Sequence, residues 1–258
     1  MRFGVVTHPL LVVFMCAVGC STPPVVEEQF HTEPKARIET GGRGIAIRRF
    51  KVLPSTEAVK EKLNGFGHPL PNAALQDRFE SEGVIVRIIE SVDVPAIAAS
   101  LGDTQNMRFD WHGQIMQWRD VQQRHMPRNG MLVTVSGVSH FVDHGYLTLL
   151  ARGWQMGMEQ GDQMYLQLLP VWHVPAERGI VPGRDIAPTE SRVFSELILE
   201  CLLDDGQALL MVTYMEPQKL LTGPVDGGPA AVRLGEALMG GPVDESVLVF
   251  LVFEAHVG

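Results

Sequence analysis

Cysteine is scarce in this 258-residue chain: Cys16, Cys20 and Cys201 are all there is, and two of the three fall within the first twenty positions. Only Cys201 belongs to the remainder, so no internal disulfide can staple that part, and an apolar core has to hold it together. At 45% hydrophobic and 20% charged residues, such a core is available and wholesale disorder is excluded. Clustered positive charge is also missing. The formal net charge is −9, the densest basic stretch is Arg48-Arg49-Phe50-Lys51, and Arg119, Arg124 and Arg128 are scattered. A nucleic-acid footprint needs clustered cations, so nucleic acid is not an expected partner. The catalytic signatures are absent as well. There is no Gly-x-Ser-x-Gly elbow, phosphate loop, Cys-x-x-Cys pair or His-Glu-x-x-His helix, and Gly65-Phe66-Gly67 lacks a third glycine in register. No cofactor follows from the motifs. The N-terminal apolar run, Val5 to Val18, is about 14 residues long, short of the roughly 20 that a spanning helix needs.

That short run is the most informative segment present. Arg2 precedes it, and Ala17-Val18-Gly19-Cys20 closes it with small residues before a cysteine. The arrangement fits the h-region and cleavage site of a signal peptide and resembles the lipobox of bacterial lipoproteins. The resemblance implies removal of residues 1–19, lipid on Cys20 and attachment to a membrane. Ser21 stands where an aspartate would favour retention in the inner membrane, which by the same resemblance points to the outer membrane, facing the periplasm.

Residues 20–43 are expected to be a flexible tether. Ser21-Thr22-Pro23-Pro24 disfavours regular structure, and Gly41-Gly42-Arg43-Gly44 adds freedom before folding begins. Its end-to-end distance is on the order of 25–30 Å. The fold class expected beyond it is α+β, with a small α/β module over 44–104 and a mainly antiparallel β domain over 105–258. In the first section a strand over Ile45–Leu53 precedes a helix capped by Ser55, a helix started by Asn72, a strand over Val84–Ile89 and a short helix at Ala96–Leu101. In the second, Met107–Trp111 and Gln114–Arg119 flank His112-Gly113 and predict a hairpin. Strands follow over 131–138, 145–152, 164–172, 192–203 and 208–215, with an Asp204-Asp205-Gly206-Gln207 turn between the last two, and a final one over Ser246–Val257. Residues 217–243, rich in glycine and proline, are expected to form a long loop.

The stretch from Met164 to Val257 resembles the closing part of a bacterial secretin core. Leu166-Gln167-Leu168-Leu169-Pro170 matches its leucine-rich strand ending in proline, Asp205-Gly206-Gln207-Ala208-Leu209-Leu210-Met211-Val212 its Asp-Gly-Gln turn and apolar strand, and Ser246–Phe253 its last strand. The family's valine-proline-leucine-glycine segment has no counterpart. The resemblance implies a membrane-associated assembly component.

For chemistry, His140, Asp143 and His144 are the best candidate metal ligands, since two imidazoles and a carboxylate suit zinc or iron. Strands on either side make the same residues a solvated hairpin turn. Asp204 and Asp205 suit a tight turn better than an acid–base pair. Cys201, in an apolar segment, suits a buried small hydrophobe. Trp111, Trp118, Trp154 and Trp172 fall on separate strands and are expected in the core or on sheet faces. Together these features predict a non-enzymatic, lipid-anchored envelope protein that binds a protein partner or self-assembles. The alternative is an envelope hydrolase or metal-dependent enzyme using His140, Asp143 and His144.

Overall fold

The C-terminal strand explains the architecture. Its sequence, Leu-Val-Phe-Leu-Val-Phe-Glu-Ala-His, is apolar at odd and even positions alike, so it is stable only if buried on both faces. The computed structural model describes residues 42–54, 59–126, 130–142, 145–159, 161–173, 191–213, 231–240 and 248–257. In it the strand Leu248–His256 (β13) is the middle member of a five-stranded antiparallel sheet, here sheet A. Its neighbours are Gly44–Pro54 (β1) and Gln207–Thr213 (β11). Gly102–Gly113 (β3) lies beyond β1, and Val84–Glu90 (β2) beyond β11.

Odd residues of β13 (Val249, Leu251, Phe253, Ala255) face a second sheet. Phe250 and Val252 face a helical layer. The helices are Val59–Leu63 (α1) and Val94–Leu101 (α3), the latter burying Val94, Ile97, Ala98 and Leu101 at helical spacing. Phe50 of β1 stacks on Phe250 directly opposite, with ring centroids 4.4 Å apart. One charge interrupts the apolar run. Glu254 is buried, and Arg48 Nε lies 3.0 Å from its Oε1, close enough for an ion pair but off the hydrogen-bonding line.

Sheet B has the order β10-β8-β7-β4: Leu199–Leu203 (β10), Gly161–His173 (β8), Tyr146–Met158 (β7) and Ile115–His125 (β4). Leu147, Leu149 and Ala151 of β7, with Met164, Leu166 and Leu168 of β8, pack against sheet A. At Gly153 the sheets pack so closely that a Cβ would lie 2.4 Å from Ile45 Cδ1 of sheet A and 2.5 Å from Tyr165 O of the neighbouring strand. A small third sheet, of Ala231–Arg233 (β12), Met131–Val135 (β5) and Val138–Val142 (β6), adds Met131, Val133, Val135 and Val142 to the same core.

The α+β class with a β-rich body stands, but several local expectations do not. The strand–helix–helix–strand–helix order of the first section is present, with Asn72 Oδ1 accepting from Leu75 N (3.2 Å) at the start of Ala73–Ser81 (α2). Ser55 lies outside the described residues. That section is no separate module: β13 and β11 lie between β1 and β2, and all described residues belong to one compact unit. The expected 107–119 hairpin is not formed. Gly113, at φ +61°, lets the chain pass from β3 in sheet A to β4 in sheet B. Likewise the turn closed by Gln207 N to Asp204 O (3.0 Å) carries β10 in sheet B to β11 in sheet A.

The expected 192–203 strand breaks after Arg192–Val193 (β9), because Phe194, Leu197 and Leu199 all reach the core and that spacing needs an intervening 3-10 turn. Within the expected 217–243 loop, residues 231–240 form β12 and Leu234–Met239 (α4), which buries Leu234, Ala237, Leu238 and Met239. The last carbonyls of α4 are satisfied by β4. Arg124 Nη1 donates to Glu236 O (2.9 Å) and Ala237 O (3.0 Å), and Gln122 Nε2 to Leu238 O (3.3 Å).

Glu82, just past α2, ties the third sheet to the sandwich. Its carboxylate accepts from Ser136 N (2.7 Å) and Leu234 N (3.4 Å), and its carbonyl accepts from Gly235 N (3.0 Å). Burial raises its pKa above the ordinary 4.5, while the two amides and Arg233 pull the other way. A carboxyl so raised holds its proton more tightly in the folded state. Its contribution is therefore complete below the ordinary value and is lost as pH rises through the folded one. Relative to Glu82→Gln, the unaltered protein should lose stability as pH rises above the ordinary carboxyl value of 4.5. Urea unfolding of both proteins across that range reads the difference, and a gap widening in favour of Glu82 would contradict it. Gly153→Ala should lower unfolding stability by about 1–3 kcal/mol through overpacking between the sheets, seen as a lower urea midpoint.

Candidate functional site

Among residues singled out from the sequence, Cys20, Asp143 and His144 lie outside the described residues. His140 is in β6 opposite Val133, on the face turned to the core. Its Nε2 is buried and has no hydrogen-bond partner among the described residues. Burial, and secondarily Arg192, hold the ring below its ordinary 6.5, with Glu196 opposing; the imidazole is neutral at pH 7. Among the described residues no three of His, Cys, Asp and Glu stand close enough to share a metal.

Asp204 and Asp205 are held apart by separate tasks. Asp204 Oδ1 accepts from Gln163 Nε2 (2.8 Å) and Asp205 Oδ1 from Val257 N (3.0 Å), so the pair anchors a turn to β8 and to the residue just past β13. Cys201 on β10 is buried, and burial pushes its thiol up to about 12.

The structure does bring together residues that the sequence leaves on separate strands. On the outer face of sheet B, Arg152 of β7 lies over the ring of Trp118 of β4 (4.6 Å to the centroid) and near that of Trp154 (5.7 Å). Arg152 Nε donates to Gln167 Oε1 of β8, and Gln167 Nε2 donates to Glu200 Oε1 of β10. Each of these pairs is in direct cross-strand register. The adjacent row is Trp154, Tyr165 and Leu202, with the Trp154 and Tyr165 rings 4.8 Å apart. Burial, then Glu200, raises the Tyr165 phenol, which stays protonated and bonded to Glu200.

Gln167 is itself buried with both ends of its amide engaged, so the guanidinium is held in place. Leu202, Met156 and Met158 continue this face and are 38%, 36% and 44% exposed. The result is a pre-ordered, partly apolar surface spanning four strands. The signal for it was the i,i+2 spacing of Arg152 with Trp154 and of Tyr165 with Gln167, which places each pair on one strand face. Trp111 is elsewhere, edge-on to His256 with centroids 5.2 Å apart.

A crevice lined by Phe79, Glu82, Val84, Leu149, Met211 and Leu238 encloses about 10 Å³, room for one water at most. No helix among the described residues is long and apolar enough to cross a membrane. No protein-family model, curated protein or solved structure matches the chain.

The burial of Cys201 has a direct test. Thiol reagents applied to the native protein near pH 8 should leave the Cys201 peptide unmodified, and the same reagents in about 8 M urea should label it fully. Peptide mass mapping reads both states, and rapid native labelling would contradict the burial.

Proposed function

We propose that the protein is a cell-envelope lipoprotein, held to a membrane through lipid on Cys20 and acting as a non-enzymatic binding or assembly component. The observation that carries the binding role is the outer face of sheet B. Trp, Tyr and Arg dominate the energetically important positions of protein interfaces, and Trp118, Arg152, Trp154 and Tyr165 are gathered there on one rigid sheet. Flanking methionines add a surface able to repack around a partner. The anchor rests on Ala17-Val18-Gly19-Cys20, and placement at the outer membrane facing the periplasm rests on Ser21. The secretin resemblance belongs to the same proposal, since an assembly component is what it implies. Among the described residues, its matching segments include Leu166–Pro170 of β8, Asp205–Val212 over the β10–β11 turn and β11, and Leu248–Phe253 of β13.

A metal-dependent hydrolase is the second reading, supported by the buried Nε2 of His140, which has no hydrogen-bond partner among the described residues. Stoichiometric zinc or iron in natively purified protein, lost on His140→Ala, would favour it over the first.

The anchor is tested by intact mass. Protein extracted from membranes in mild detergent should carry a diacyl or triacyl addition on Cys20. Cys20→Ala should lose both that mass and the membrane fraction. Unmodified wild-type protein recovered entirely in the soluble fraction would sink the proposal.

A further inference from the structure

We infer that the edge strand β3 pairs with β3 of a second copy across a twofold axis at Phe109, joining two five-stranded sheets into one. The inference deepens the binding-or-assembly reading by naming a partner, and it does not depend on lipid at Cys20 or on the outer face of sheet B.

Sheet A ends at β3, with no strand beyond it among the described residues. Such an edge turns a row of backbone N–H and C=O groups outward, a template for a further strand. Register shifts against β1 occur at Ile45/Ala46 and at Lys51/Val52, so Asn106–Trp111, opposite Lys51–Ala46, is the straight part of the edge. Proteins usually guard such a stretch with charge or proline. There is no proline here, and Met107 is 53% exposed.

The charges present are complementary to themselves. Arg108 and Asp110 share one face, with Arg108 Nε 2.8 Å from Asp110 Oδ2. In antiparallel pairing centred on Phe109, Arg108 of each copy faces Asp110 of the other, and Met107 of each faces Trp111 of the other. Opposite charges and apolar–aromatic pairs directly across strands are the favourable contacts of a sheet. Sliding the copies by two residues sets Arg108 against Arg108, or Asp110 against Asp110. Sliding by one sets each charge against Met107, Phe109 or Trp111. Among these registers only the one centred on Phe109 sets both charges opposite unlike charges, extending the pair within each chain across the axis, and it is a self-complementary arrangement of the kind that a closed twofold dimer requires.

The test uses the full chain in mild detergent. Native mass should give a dimer. Arg108→Asp, which sets aspartate against aspartate twice, should weaken it about tenfold or more. The double variant Arg108→Asp/Asp110→Arg should restore it, because the exchanged pattern again opposes unlike charges. Phe109→Cys should form a disulfide across the axis on mild oxidation, since facing Cα atoms on paired strands fall within bonding range. Thr104→Cys, which would face residue 114 of the other copy, should not, with the unaltered chain as background. A monomeric wild type, a dimer indifferent to both charge changes, or equal cross-linking of the two cysteine variants would overturn the inference. A lipidated monomer would overturn it while leaving the anchor standing.

Discussion

Burial of β13 on both faces is the constraint on which the rest depends. Phe250 and Val252 need one layer and Val249, Leu251 and Phe253 another, so the protein has to supply helices on one side and a second sheet on the other. Each fully buried large apolar side chain contributes about 1.5–3 kcal/mol relative to exposure, and Val249, Phe250, Leu251, Val252 and Phe253 of this strand are all buried. Its partner β1 is formed by residues about 200 positions earlier, so the sheet closes only when segments distant in the chain meet. Long-range pairing of this kind is slow to form and cooperative once formed. It also prevents residues 44–104 from being an independent unit.

The second consequence concerns how the chain moves between layers. At Gly113 and again at Asp204–Gln207 it leaves one sheet for the other, where local turn chemistry alone would close a hairpin. A turn motif specifies a change of direction. Which strand the chain then pairs with is set by the apolar faces seeking cover. Gly153 permits the closeness that results, since no side chain fits between Ile45 and the backbone of Tyr165.

The candidate face on sheet B arises from register. Arg152, Gln167 and Glu200 are far apart in the chain and unremarkable singly. Once β7, β8 and β10 align, they form one hydrogen-bonded row that fixes a guanidinium between two indoles. Alternation along β7 and β8 placed each pair on a common strand face, but no residue pattern specified that the two faces were neighbours. His140 illustrates the reverse case. Its spacing to Asp143 and His144 suited a metal, while its pairing opposite Val133 turns the ring inward, where burial favours the neutral form.

Element types followed from local pattern wherever one physical demand dominated. The double-sided apolar run of β13, the Asn72 cap, the buried spacing of α3 and the Asp-Gly turn were all visible in the chain itself, because propensity and periodicity act over a few residues. Pairing was not visible. The order β2-β11-β13-β1-β3, the passage of β3 into β4, the break at Phe194 and the helix α4 within a glycine-rich stretch depend on which apolar surfaces meet. That matching is made between segments far apart in the chain, and only the folded arrangement decides it.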